Sequence, residues 1–233
     1  MYLRGLMKLP IRAITLILLL LAATGTASAS GVTVTLDNGG SDVMGGVYVG
    51  PYNFTVTGNG SPVSVGLICD DYTDEVWLGE SWTVNLTNMP LTSSSLSGLY
   101  FGGMSGAGTA YLEAAWLAQQ IFALGPANAS NSATIGYMQY AIWDLFSPGA
   151  SSGLSASQQS MVSYWLAQAA GNYNCTTCNY SDVVIYTPSS LGLPEGTQPQ
   201  EYIGIITTPE PGGLMLLTAG LLGLFGFRRR LSY

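Results

Sequence analysis

Apolar and polar residues alternate along residues 31–101, which is the pattern of strands that are buried on one face. Four runs carry the alternation, at Val32 to Leu36, Tyr52 to Val56, Val63 to Cys69 and Trp82 to Leu86. In the third run Cys69 ends a row of apolar side chains, so its side chain is predicted to point inward. Strand-like runs return at 183–186 and 202–206.

A helical period replaces the alternation in the middle of the chain. One helix is predicted over 109–124, before a Gly-Pro pair, and a second over 132–146, before a Pro-Gly pair. A third follows Ser155, which can form a capping box with Gln158.

These elements predict an α+β fold, in which a β-rich sheet or sandwich carries a three-helix insertion at 109–170. The β-rich part combines 31–101 with the returning strands at 183–206. The chain has 233 residues, enough for one domain with a substantial core. That domain is predicted to span 30–208.

The first 29 residues have the order of a secretory signal peptide. A basic start precedes an apolar stretch at 14–23, and small residues follow at 27–29. Cleavage is predicted between Ala29 and Ser30. The alternative, an uncleaved membrane anchor, fits less well because the apolar stretch is short.

The end of the chain has three elements in a fixed order. Pro209, Glu210 and Pro211 precede an apolar run at 212–227, and arginines occupy 228–230. As a helix this run would extend about 24 Å, against a hydrocarbon core of about 30 Å. It therefore predicts a short transmembrane segment whose arginines stay in the cytoplasm and leave the domain outside.

This order resembles the PEP-CTERM sorting signal of Gram-negative bacteria, here over residues 209–233. The resemblance implies recognition by an exosortase, a membrane-embedded processing enzyme that would remove the tail. It also implies export across the inner membrane and a final location at the cell surface or outside the cell. An ordinary C-terminal membrane anchor is the alternative.

The distribution of charge excludes several function classes. The net charge is −7, yet all six Lys and Arg residues lie at the two ends, and the chain has no His. Between the ends no base is available to neutralise phosphates, so nucleic-acid binding is excluded. Catalysis by a His or Lys base and a histidine metal site are excluded as well. No catalytic residue, metal or cofactor is predicted, and the chain is not expected to be an enzyme.

Two residues do not suit a simple core. Of three cysteines, Cys175 and Cys178 are close enough in sequence to pair, which leaves Cys69 unpaired in an exported chain. Gln139 lies within the apolar stripe of the second helix, where an unpaired amide costs roughly 1–3 kcal/mol. An inert buried thiol and a glutamine bonded to backbone or water are the simple alternatives.

The segments Leu67-Ile68-Cys69-Asp70 and Gln139-Tyr140-Ala141-Ile142-Trp143 resemble the two signatures of the thioester domains of bacterial surface adhesins. Ile68 and Met138 depart from the residues that usually stand at those positions.

The resemblance implies an internal thioester between the Cys69 thiol and the Gln139 acyl group. It implies that Tyr140 and Trp143 shield this bond from water. The partner would be an amine on a surface or matrix component, which becomes covalently attached.

Four acidic residues close to Cys69 leave further alternatives open, at Asp70, Asp71, Asp74 and Glu75. Their spacing does not match a calcium loop, and nothing in the sequence marks one of them for a raised pKa in a glycosidase pair. A solvated acidic loop is predicted. A covalent adhesion module is therefore the first functional hypothesis, and a non-covalent structural protein of the envelope or the exopolysaccharide matrix, with an inert cysteine, is the second.

Overall fold

The computed structural model describes residues 31–58, 60–190 and 198–206. The strands are β1 (Val32–Asn38), β2 (Val43–Met44), β3 (Val47–Tyr48), β4 (Tyr52–Thr57), β5 (Val63–Cys69), β6 (Ser81–Asn88), β7 (Val183–Pro188) and β8 (Tyr202–Ile205). The helices are α1 (Ser93–Leu96), α2 (Ala107–Ala123), α3 (Ser132–Phe146) and α4 (Ala156–Asn172), with a 3₁₀ turn at Ala150–Gly153. These bounds confirm the predicted strands and the three predicted helices, which are α2, α3 and α4; the short helix α1 precedes them between β6 and β7.

Six strands close into an antiparallel barrel in the order β1-β4-β5-β8-β7-β6, and β6 pairs with β1. The α+β class is confirmed, but the sheet is a closed barrel and not an open sheet or sandwich. Closure depends on β8, which inserts between β5 and β7 and pairs Leu67 with Gly204. Strands β2 and β3 form a separate hairpin.

Alternation places one set of side chains inside the barrel. The rings of Tyr52, Phe54, Trp82 and Tyr202 contact one another there, with Phe54 and Tyr202 centred 4.8 Å apart. Gly204 leaves room for this packing, because a Cβ atom there would lie 2.6 Å from Leu67 Cδ2. The predicted alternation of β6 fails at its end, where Leu86 is exposed.

Helix α2 packs on β8 and helix α3 on β5, at the outer face of the barrel. On this face Ile68, Ile185 and Ile203 are completely buried, so these strands are buried on both sides. Helix α4 begins at the predicted capping box, in which the Ser155 side chain accepts from Gln158 N and Gln158 accepts from Ser155 N. The hairpin packs on α3, and the Met44 side chain lies against Gly136.

The predicted signal peptide at 1–29 and the predicted membrane segment at 212–227 lie outside the described residues. Within the described ranges, no helix is long and apolar enough to cross a membrane.

Candidate functional site

Cys69 is the last residue of β5 and faces the barrel interior opposite Tyr202. Its side chain is completely buried, as the alternation predicts. The thiol donates to the backbone carbonyl of Asp71 at 2.9 Å. Burial raises the pKa of this thiol well above its ordinary value, and the charges of Asp71 and Asp70 raise it further. In the resting structure Cys69 is therefore a neutral thiol.

Gln139 contacts Cys69 from helix α3. Helix α3 places its side chain, which is completely buried, against the end of β5. Its Nε2 donates to the Cys69 carbonyl at 2.6 Å. Its Oε1 is buried and accepts no hydrogen bond from any described residue. The two residues that the sequence suggested as a pair, 70 positions apart, are in direct contact.

Three aromatic rings lie next to this pair. Tyr140 and Trp143 of α3 are buried, with ring centroids 5.0 Å apart. Tyr72, from the loop after β5, packs on both at 6.2 and 5.2 Å and is 39% exposed. We call these residues the aromatic cover. Tyr72 was missing from the sequence-based set, although its place three residues after Cys69 was a usable signal.

The polar atoms of Tyr140 and Trp143, the two helix residues of the aromatic cover, differ in their hydrogen bonding. The Tyr140 hydroxyl donates to the carbonyl of Met44 at 3.1 Å, which ties the hairpin to α3. The indole N–H of Trp143 lies near the Cys69 thiol and lowers its pKa. No described atom accepts that hydrogen at hydrogen-bond geometry.

The acidic residues after Cys69 are buried, which corrects the prediction of a solvated loop. Asp70 and Asp71 are completely inaccessible, and Asp74 is 1% exposed. The Asp71 carboxylate accepts, at Oδ1, from Thr73 N at 3.0 Å and Thr73 Oγ1 at 2.9 Å. Burial raises the pKa of Asp71 to about 7, and the neighbouring Asp74 adds to this. This raised pKa follows from burial, which nothing in the sequence had indicated.

A second pair of carboxyls lies deeper. Asp70 and Glu201 approach each other, and the charge of Glu201, after burial itself, raises the pKa of Asp70 well above its ordinary value. Neither Asp70 oxygen meets hydrogen-bond geometry with a described atom. Glu201 instead accepts from the hydroxyls of Tyr111 and Thr187 and from Tyr100 N. These donors lower the pKa of Glu201, but burial outweighs them and raises it.

Strand β8 and the residues before it hold the loop in place. Gln200 Nε2 donates to the carbonyls of Asp71 and Asp74, at 2.9 and 2.6 Å. Gln200 Oε1 accepts from the Tyr202 hydroxyl at 2.7 Å. The carbonyl that accepts the Cys69 thiol is thus fixed by a side chain that lies 129 positions further along the chain.

The remaining predicted residues lie elsewhere. Cys175 and Cys178 form a disulfide after α4, and Cys69 is the free cysteine. No group of three or more Cys, Asp or Glu side chains in the described ranges is arranged to hold a metal ion. The sorting motif at Pro209, Glu210 and Pro211 and the cleavage site at Ala29 and Ser30 lie outside the described residues.

Comparisons with known proteins support one of the two resemblances. Residues 207–230 match the family model of the PEP-CTERM protein-sorting motif, which confirms the sequence-based assignment of the C-terminal signal. This motif implies export, processing by an exosortase, and a surface or extracellular location. A search of curated protein sequences finds no match.

One solved structure is similar to the described fold. It is the N-terminal domain of the Streptococcus pyogenes pilus tip adhesin Cpa, at 12% sequence identity and a TM-score of 0.44. The match covers 79% of this chain and 97% of that domain. At this level of similarity the comparison assigns no function.

Proposed function

We propose that this exported protein is a covalent adhesion module, in which Cys69 and Gln139 form an internal thioester that couples to an amine on a surface or matrix component. Before processing, residues 212–227 would hold the precursor in the inner membrane, where an exosortase acts on it. The single observation that carries the thioester proposal is the contact of the Gln139 side chain, through Nε2, with the backbone carbonyl of Cys69, both residues being completely buried.

Thioester formation requires the thiol of Cys69 to add to the side-chain carbonyl carbon of Gln139. A carbon–sulfur bond then forms, the carbon–nitrogen bond breaks, and the amide nitrogen leaves as ammonia. Gln139 Oε1 accepts no hydrogen bond from the described residues, so no such bond stabilises the side-chain amide before it reacts. The aromatic cover limits the access of water to the product, which is an activated acyl group.

An amine from a partner would attack the same carbon, form an amide with residue 139 and release the Cys69 thiol. Each molecule reacts once, so the proposal describes attachment and not enzymatic turnover. Residues 31–206 contain no lysine, so no side-chain amine of this region competes with the partner.

The alternative function is a non-covalent structural protein of the envelope or the exopolysaccharide matrix. One observation favours it: the Cys69 thiol is neutral, buried and hydrogen-bonded to Asp71, as an inert core cysteine would be. The two proposals differ in whether the Gln139 amide persists.

Intact-mass spectrometry of the purified protein separates the two proposals. We expect a mass lower than the sequence mass by one ammonia, after allowance for the Cys175–Cys178 disulfide, and addition of one methylamine on incubation. Cys69→Ala and Gln139→Ala should abolish both changes. Gln119→Ala is the matched control, because Gln119 lies on α2, away from Gln139, and donates to the carbonyl of the exposed residue Asn179. An unshifted mass in freshly prepared protein, with an intact Gln139 in peptide maps, would establish the non-covalent alternative.

The aromatic cover gives a second prediction. Tyr72→Ala should speed the hydrolysis of the thioester, because it removes the partly exposed ring that packs on Tyr140 and Trp143. The measurement is the rate at which methylamine-reactive protein is lost at neutral pH. Tyr164→Ala removes a ring of similar exposure that contacts Trp165 on α4, and should leave this rate unchanged. Equal rates in both variants would show that Tyr72 does not protect the bond.

A further inference from the structure

The thioester chemistry proposed above needs a group that moves protons. In thioester formation a proton must pass from the Cys69 thiol to the departing nitrogen, and in aminolysis one must leave the attacking amine. Residues 31–206 contain no Lys, Arg or His, so the usual base of such reactions is missing from the sequence of this region. A carboxylate close to Cys69 is a group that can supply the function.

Two carboxyls lie close to the thiol, and their surroundings differ. Asp70 is directed toward Glu201, whose charge favours its protonated form. Asp71 instead has a fixed orientation, because its Oδ1 accepts from Thr73 N and Thr73 Oγ1. Its Oδ2 is completely buried and accepts no hydrogen bond from the described chain. Asp74 N also donates to Oδ1, at 3.3 Å, and the Asp74 carboxyl lies beside that of Asp71 and raises its pKa. Asp71 is therefore a buried carboxyl whose orientation is fixed by the loop that follows Cys69.

The backbone of Asp71 connects this residue to the reacting atoms. Its carbonyl accepts the Cys69 thiol hydrogen at 2.9 Å, and Gln200 fixes that carbonyl from the other side. Among the charged groups that raise the pKa of Cys69, Asp71 has the largest effect, ahead of Asp70. The next residue, Tyr72, belongs to the aromatic cover and is 39% exposed, so Asp71 is adjacent in the chain to the partly exposed ring of the site.

We propose that the Asp71 carboxylate is the proton-transfer residue of the thioester site. During formation it takes the proton of the Cys69 thiol as the sulfur bonds to the Gln139 carbonyl carbon, and it gives that proton to the nitrogen that leaves as ammonia. During attachment it takes a proton from the attacking amine nitrogen as the new carbon–nitrogen bond forms. It then returns the proton to the Cys69 sulfur as the carbon–sulfur bond breaks.

The titration of Asp71 suits this role. Its pKa is raised to about 7, so both protonation states are populated near neutral pH. The titratable groups that face it are Asp70, Asp74, Cys69, Tyr100 and Tyr202. All of these become neutral on protonation, so none adds a positive charge that would hold Asp71 ionised.

The pH dependence of aminolysis tests the proposal, which rests on the proposed thioester. The probe is hydroxylamine, and the readout is adduct formation on the purified full chain by intact mass. The rate is expressed per concentration of unprotonated hydroxylamine, so that the titration of the probe itself does not contribute to the profile. In the wild type we expect the rate to rise with pH through about 7 and then to level. Asp71→Asn keeps the shape of the side chain, and should lower the rate about 100-fold above that pH and remove the inflection.

Thr73→Val supplies an independent test, because the pH profile would not move if Asp71 had only a structural role. The Thr73 hydroxyl hydrogen bond lowers the pKa of Asp71, so its removal should move the inflection of the rate to higher pH. Glu80→Gln, on an exposed turn that contacts Trp77 N, is the charge-matched control and should keep the wild-type profile. If Asp71→Asn does not fold, the Thr73→Val profile decides the question alone.

The outcomes separate this inference from the proposed function. A folded Asp71→Asn protein that never loses ammonia supports the inference at the formation step, provided that Thr73→Val shifts the profile. Wild-type rates and an unmoved inflection in both variants overturn the inference and leave the thioester in place. A wild-type chain that retains its ammonia overturns the proposed function, and the inference with it.

Discussion

Raising the pH from about 4 to about 7 is expected to destabilise the folded domain by roughly 3 kcal/mol through Asp71 alone. Burial raises the pKa of this carboxyl from 3.8 to about 7. Between these two values the folded state holds a proton that the unfolded chain has released. Stability is therefore greatest below about pH 4 and falls as the pH rises toward 7.

Asp70 and Glu201 act in the same direction, because burial raises the pKa of each. No basic side chain exists in residues 31–206 to reverse the sign. The measurement is urea unfolding of the wild type and Asp71→Asn at several pH values. The wild type should weaken with rising pH, and Asp71→Asn should show a smaller slope. Stability that increases from pH 4 to pH 7 would contradict the expectation.

Much of the fold follows from local sequence signals. Helix α3 occupies 132–146 as predicted, because an apolar period is followed directly by a Pro-Gly pair. The capping box at Ser155 fixes the start of α4 in the same local way. Barrel closure does not follow locally, since it depends on β8 pairing with β5 across more than 130 positions. A pattern of alternation describes the faces of each strand but not its neighbours.

The candidate site, like the fold, could be predicted from the sequence only where the signal is local. Cys69 and Gln139 stand out in the sequence because an unpaired thiol and a glutamine in an apolar stripe both need an explanation. The burial of Asp71 does not stand out, because a group of acids normally indicates a solvated loop. What buries these acids comes from distant positions, such as Gln200 and the Tyr100 hydroxyl that donates to Asp74. No local pattern contains that information.

Replacing Glu201 with leucine is expected to destabilise the domain by roughly 3–5 kcal/mol. Glu201 is 1% exposed and accepts from the hydroxyls of Tyr111 and Thr187 and from Tyr100 N. Leucine has a similar size but would leave all three donors buried without an acceptor. Thr187→Val is the graded control, because it removes one donor and should cost about 1 kcal/mol. Wild-type stability in Glu201→Leu, measured by urea unfolding, would show that these hydrogen bonds contribute little.

Glu201→Gln separates the hydrogen bonds of this residue from its charge. The amide keeps one acceptor oxygen, so the loss of stability should be smaller than for leucine. It also removes the charge that, after burial, most raises the pKa of Asp70, so Asp70 ionises more easily in the folded state. The stability of Glu201→Gln should therefore depend less on pH than that of the wild type, and its deficit should shrink as the pH rises. Part of this change comes from the loss of the raised pKa of Glu201 itself, and the rest from Asp70. A deficit that stays constant with pH would mean that neither carboxyl has a raised pKa in the folded state.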